Sequence, residues 1–174
     1  MGDVKGMFDG NYYLLMAHYN QWMNKKLYSV CSGIPDSDRR KDLGAFFKSV
    51  HGTLNHLLFG DIAWMCRFKN QKHNYVIGEE IYSDFDALRK AREKKDNEIL
   101  EWVGELAEEW LNSSFRFKSS VDGRTRSMPS WVLVTHMFNH QTHHRGQLTT
   151  LIKQLGYDPG VTDIPWLPIL KAEP

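Results

Sequence analysis

Apolar residues recur at three- and four-residue steps through four long stretches of the chain, the spacing of helices that each bury one face. The first stretch runs from about Met7 to Cys31, with Leu14, Leu15, His18, Trp22, Leu27 and Val30 near one side, and Gly33 and Pro35 stop it. The second, from about Leu43 to Phe68, carries Phe46, Phe47, Val50, Leu54, Leu57, Leu58 and Met65 on its apolar side. Asn70 to Tyr82 then lacks periodicity and is long enough to cross over an end of a bundle. The third helix is expected to start near Ser83-Asp84, with Asp86 three residues after Ser83 in a capping-box arrangement, and to continue through Leu88, Ile99, Trp102, Val103 and Leu106 to about Leu111. The fourth begins at about Pro129, with Ser127 or Met128 at the cap position. It carries Trp131, Val134, Phe138, Leu148, Leu151, Ile152 and Leu155 and closes at a C′ glycine, Gly156.

Between the third and fourth helices, Asp122-Gly123 separates two short runs, Phe115–Val121 and Arg124–Met128, which predicts a small β-hairpin around a type I′ turn. The tail from Val161 to Pro174 carries three prolines around Trp166 and is expected to pack as extended chain. No internal repeat or low-complexity linker divides the sequence, so residues 1–174 are predicted to form one all-α domain with a small hairpin.

The fourth helix holds the candidate chemistry. In THMFNHQTHHRGQ, Thr135 to Gln147, four of the chain's eight histidines fall within nine positions. Residues four apart stand one turn above each other, so His140 and His144 have the spacing by which one helix offers two nitrogens to a single metal ion. The general base of a zinc-protease helix is missing, because Gln141 follows His140. A third ligand must come from elsewhere. His56, near the apolar side of the second helix, is the best candidate; His51 is the weaker choice there, and His18 on the first helix is a further possibility.

Asn-His-Gln-Thr-His-His-Arg-Gly-Gln (139–147), together with Leu-Asn-His (54–56) and Tyr-Asn-Gln-Trp-Met-Asn (19–24), resembles the DinB/YfiT-like family of metalloenzymes. This is the damage-inducible family of that name, distinct from the translesion polymerase that shares it. The ending Leu155-Gly-Tyr-Asp-Pro-Gly, followed by Thr162-Asp163, is also similar, and the likeness spans nearly the whole length. The resemblance implies a four-helix bundle, a metal held by His56, His140 and His144, and a homodimer, for which the first and fourth helices are the candidate surfaces. It also implies that His136 and His143 are neighbours of the ligands.

Three neutral imidazoles would leave a divalent ion its full charge and at least one open position, the arrangement of a catalytic zinc. Such an ion lowers the pKa of bound water to about 7 or holds a thiol as thiolate. All-nitrogen ligation suits zinc or nickel. Asn139, Gln141 and Gln147 are candidate partners for the ring N–H groups behind the metal. Arg145 is a candidate for an anionic substrate, and His18, Tyr19 and Trp22 are candidates for lining a pocket. No general acid or base stands out, since Asp61 points well away from His56 on an ideal helix. Two functions follow as expectations: a metal-dependent enzyme that activates water or a low-molecular-weight thiol, acting on a small-molecule substrate, or a non-catalytic metal-binding protein of the stress response.

Composition excludes other classes. Twenty-two basic residues nearly cancel twenty-one acidic ones, so no strong field favours nucleic acid or an anionic membrane as partner. No run of eighteen apolar residues suggests a membrane span. The first thirty residues lack the apolar core of a signal peptide, and Cys31 and Cys66 fit neither a CxxC nor a zinc-finger pattern. A cytoplasmic protein with two reduced thiols is expected.

Overall fold

A computed structural model describes residues 10–119 and 122–170. The chain is mostly helical, with one small antiparallel hairpin. Helix α1, Gly10–Ser32, buries Tyr13, Ala17, Asn20, Asn24, Leu27 and Cys31 at helical steps. It ends just before Gly33, as the sequence predicts, whereas the expected start at Met7 lies outside the described residues. A single turn, α2 (Asp36–Arg39), follows Pro35.

The second long helix, α3, spans Val50–Phe68 and so starts seven residues later than the hydrophobic pattern predicts. Residues 43–48 fold into a tight turn instead: the Leu43 N–H donates to the Lys48 carbonyl, and Gly44 and Lys48 adopt left-handed φ values of 76° and 65°. That conformation is incompatible with a helix, and Ser49 caps the helix that follows by accepting from the Gly52 N–H. Phe46 and Phe47 mimic a helical face without being one; Phe46 is 86% exposed.

A long irregular connection leads to α4, Phe85–Gly104. The Asp84 carboxylate, rather than Ser83, caps it by accepting from the Ala87 N–H. The third helix does not continue to Leu111. It stops at Gly104, a poor helix former, and the chain restarts as α5, Glu108–Asn112. Strands β1 (Ser114–Lys118) and β2 (Thr125–Pro129) then pair, with Phe115 opposite Met128 and Phe117 opposite Arg126. The reversal is longer than the predicted two-residue type I′ turn. The Ser119 N–H donates to Arg124 and the Gly123 N–H to Ser119, with Gly123 alone taking the left-handed conformation there among the described residues.

Helix α6, Ser130–Gln154, follows β2 directly; Ser127 and Met128 belong to the strand, and Pro129 itself occupies the cap position. Its end is the predicted glycine closure. Gly156 has φ 86°, its N–H donates to Lys153, and the Tyr157 N–H donates to Ile152, a Schellman arrangement. The tail is not extended: Ile164–Trp166 and Pro168–Leu170 form short 3-10 turns, with Leu167 buried between them.

Helix α1 packs on α4 and α6, and α3 packs on the same two. Two apolar clusters fill the interior. One holds Leu27, Leu54, Leu58, Leu88, Leu148 and Ile152, and the other holds Tyr13, Met65, Ile99, Val103, Val134 and Phe138. The clusters occur in opposite order along α1 and α6 compared with α3 and α4, so the two pairs of helices run in opposite directions. Parallel α3 and α4 require a crossover, which residues 69–84 provide. Between the clusters every long helix contributes to one buried polar layer: Asn20 and Asn24, Asp61, Arg92 and Asp96, Gln141 and Arg145. Arg92 reaches Asp61 and Asp96 at 2.8 Å each, and Asn24 donates to Asp96 over 2.9 Å. Helix α6 shows none of the exposed large apolar side chains expected of a dimer surface, because its apolar residues are spent on α1, α3 and α5; on α1, Tyr12 and Leu14 are exposed.

Candidate metal centre

Helices α3 and α6 run antiparallel, and one turn of α3 faces one turn of α6 where His56, His140 and His144 meet. His56 Nε2 stands 3.2 Å from His140 Nε2 and 3.2 Å from His144 Nε2. Two nitrogens bound to one zinc at ~2.0–2.1 Å in a tetrahedral site lie about 3.3 Å apart, so the spacing suits a shared ion. Close approach of the helices at this level depends on Gly60, where a Cβ would stand 2.8 Å from His140 Cε1. Gln141, fully buried, donates from Nε2 to the Leu57 carbonyl over 2.8 Å and ties α6 to α3 beside His56.

Of the three rings, that of His144 is hydrogen-bonded from behind, while His56 Nδ1 and His140 Nδ1 find no partner among the described residues. His144 Nδ1 lies 2.8 Å from Gln147 Oε1, and Gln147 Nε2 points to His143 Nε2 at 3.2 Å. An amide oxygen only accepts, so the His144 proton sits on Nδ1 and its Nε2 presents a bare lone pair to the other histidines. The Phe47 ring stacks on His56, with centroids 3.7 Å apart and planes at 17°, and meets His144 edge-on.

All three imidazoles are held neutral. Burial, then the neighbouring His144 and His140, push His56 down to about 3. Burial, then His144, His136 and His143, push His140 down to about 4. Burial also lowers His144, against the opposing bond to Gln147. His56 Nε2 faces two ring nitrogens, and one hydrogen can bridge only one of them. Among the described residues at least one buried lone pair is therefore left without a donor, which a cation would satisfy.

The other sequence candidates fall elsewhere. His18 is half-buried on α1 and outside the cluster. Tyr19 is buried, its hydroxyl donating to the Thr162 carbonyl, and Trp22 packs against its ring. Asn139 is exposed. Arg145 turns inward and is bound to Asn20 and Thr142, with its guanidinium over the Tyr19 ring, so it belongs to the buried polar layer. Burial pushes it down to about 10. His51 is buried against the Tyr82 carbonyl and Glu80. His136 meets the Trp64 ring edge-on. Gly60 and Phe47 are site residues that the sequence does not mark as such: periodicity counts Phe47 as core, and a glycine inside an apolar helix was the available signal for Gly60.

A cavity of about 590 Å³ opens from His56 and His140 between α3, α6 and the hairpin, within the range of small-molecule sites. Its walls include Phe59, Trp64, Phe117 and Leu133.

An antiparallel helical frame converges three imidazoles that could hold a metal ion beside a cavity, and comparison with known proteins places the chain in a family. The family model of the DinB family matches residues 7–173, and the chain belongs to that family. It is 24% identical over 159 residues to Protein DinB of Bacillus subtilis (strain 168), an alignment covering 85% of this chain and 88% of that protein. The crystal structure of a DinB-like protein from Bacillus cereus ATCC 10987 superposes with a TM-score of 0.61 at 19% identity, covering 80% of this chain and 91% of that one.

Proposed function

We propose that the protein is a metal-dependent enzyme of the four-helix-bundle DinB/YfiT type, a single domain that binds one divalent transition metal, zinc or nickel, through His56, His140 and His144. The observation that carries this reading is the convergence of three neutral imidazoles, with His56 Nε2 3.2 Å from the Nε2 of His140 and of His144 and with His56 and His140 lining a cavity. A purely structural metal would use four protein ligands, and the described residues offer three in one group.

When bound, the ion would supply Lewis acidity that favours the deprotonated form of water or of a low-molecular-weight thiol at neutral pH. The chain's own residues do the rest. Gln147 keeps the proton of His144 on the far nitrogen, Phe47 fixes the plane of His56, and Gln141 holds α6 in register with α3. Phe59, Trp64 and Leu133 exclude water from a substrate held in the cavity. With no helix among the described residues long and apolar enough to cross a membrane, we place this chemistry on a freely diffusing cytoplasmic homodimer, with Tyr12 and Leu14 of α1 as its candidate contact.

Cobalt substitution tests the reading. Adding a small thiol to the cobalt-loaded protein should produce a sulfur-to-metal charge-transfer band that weakens as the pH falls below the bound thiol's pKa. A cobalt spectrum indifferent to thiols and small anions alike would replace the enzymatic reading with a non-catalytic one.

A further inference from the structure

The cavity bordered by His56 and His140 is mostly apolar. Phe59, Ala63 and Trp64 of α3, Val132 and Leu133 of α6 and Phe117 of the hairpin wall it. Three charged side chains also reach the lining, and each is already engaged within the protein. Arg126 donates to both oxygens of Asp122, over 2.8 and 2.6 Å, and the Arg67 guanidinium lies over the Trp64 ring, 4.7 Å from its centroid. Among the described residues the wall therefore spares no counter-charge for a charged ligand, and burying an unpaired charge is costly.

The mouth of the cavity is apolar as well. The crossover from α3 to α4 brings Ile77 into the same lining. Phe59 of the wall meets His73 edge-on, with centroids 5.8 Å apart, and His73 stacks in turn on Tyr75 at 6.3 Å. Tyr75, Val76 and Ile77 thus present three consecutive apolar side chains beside the opening, 42%, 55% and 54% exposed. Runs of three or more exposed apolar residues are avoided on protein surfaces unless they bind something. The backbone beneath them is not bonded to the bundle. Among the described residues, 72–79 make one backbone hydrogen bond, from the Glu79 N–H to the Val76 carbonyl over 3.2 Å. The segment is tied at its two ends, where the Gln71 N–H donates to the Cys66 carbonyl and Glu80 pairs with Arg40 at 2.9 Å.

We propose that this cavity takes an uncharged small molecule with an aromatic body, its polar group at His56 and His140 and its outer flank covered by Tyr75, Val76 and Ile77. The inference deepens the metal-centre reading by naming the class of molecule whose polar end reaches the histidines. Phe59, Trp64 and Phe117 offer that body aromatic contacts. A segment tied at both ends and unbonded between them settles on the molecule without breaking a hydrogen bond to the bundle. Wall and rim then leave water together.

The test uses metal-free protein, so that no probe binds by ligating metal. Isothermal titration at neutral pH compares 2-naphthylmethanol with two ions of similar shape, 2-naphthoate and 2-naphthylmethylammonium. The alcohol should bind at least tenfold more tightly than either ion. Ile77→Asn should weaken alcohol binding about fivefold at unchanged Tm, whereas a surface residue with no part in binding would change neither. Val132→Phe narrows the cavity and should weaken binding at least tenfold in protein of native circular dichroism. An ion that binds as tightly as the alcohol, or Ile77→Asn protein that binds the alcohol as the parent does, would overturn the proposal. Alcohol preference in a protein that binds no zinc would support the cavity assignment and overturn the metal reading; zinc binding without the preference would do the reverse.

Discussion

Gly60 on α3 and His140 on α6 stand so close that a Cβ on the glycine would lie 2.8 Å from His140 Cε1 and 3.0 Å from its Nδ1. The missing side chain is what lets the two helices bring His56 and His140 within reach of one ion. Gly60→Ala must therefore displace the imidazole or spread the helices. Overpacking of this kind costs about 1–3 kcal/mol, and metal affinity should fall at least tenfold as the Nε2 atoms separate. Isothermal titration with zinc and urea unfolding of the variant check both; unchanged zinc affinity would show that the contact does not set the site.

Gln147 acts on the proposed metal centre through the His144 proton. Gln147→Leu removes the acceptor behind Nδ1 and frees the ring to rotate and change tautomer, which typically costs 10–100-fold in metal affinity. Gln147→Glu keeps an acceptor and should retain binding. Loss in both variants alike would point to packing rather than to the hydrogen bond.

The depressed histidines make the metal-free protein sensitive to acid. The unfolded chain takes up protons on His56 and His140 from about pH 6.5, whereas the folded chain resists until about 3 and about 4. Their neutrality therefore contributes stability fully above pH 6.5, and that contribution is lost as pH falls toward 4. The Tm of metal-free protein should drop between pH 7 and 4.5, and the drop should be shallower in a His56→Ala, His140→Ala double variant. Parallel curves for the two proteins would contradict the shifted histidines.

Arg92 anchors the polar layer between the two apolar clusters. Burial acts to lower its pKa, but Asp96 and Asp61 outweigh it and hold the guanidinium charged, while burial pushes Asp96 up to about 6. Arg92→Met would strand two buried carboxylates, and breaking such a pair costs about 3–5 kcal/mol. Adding Asp61→Asn and Asp96→Asn to the variant should restore much of the loss. Urea unfolding measures it, and a loss below about 1 kcal/mol would mean that the layer is dispensable.

The four long helices and the candidate pair His140 and His144 were legible because both depend on local spacing, whereas His56 was preferred over His51 and His18 through the resemblance to the DinB/YfiT-like family. Hydrophobic steps mark the buried faces, and two histidines four apart mark a ligand pair wherever the helix lies. What periodicity missed was set by backbone conformation or by partners distant in sequence. Phe46 and Phe47 continue an apolar rhythm that the left-handed Lys48 interrupts. Gly104 breaks a pattern whose apolar residues resume beyond it in α5. Arg92 and Asp96 stand among lysines and glutamates that resemble a solvated face, and nothing local distinguishes the two that are buried by Asp61 of α3 and Asn24 of α1. Arg145 reads as a site residue beside His144, yet Asn20, 125 positions away, draws it into the interior.

Metal stoichiometry tests the central claim most directly. Protein purified metal-free, equilibrated with zinc or nickel and freed of excess, should carry about one equivalent per chain by inductively coupled plasma mass spectrometry. The His140→Ala, His144→Ala double variant should carry almost none while keeping its helical circular dichroism. One full equivalent in that variant would contradict the assignment of the site.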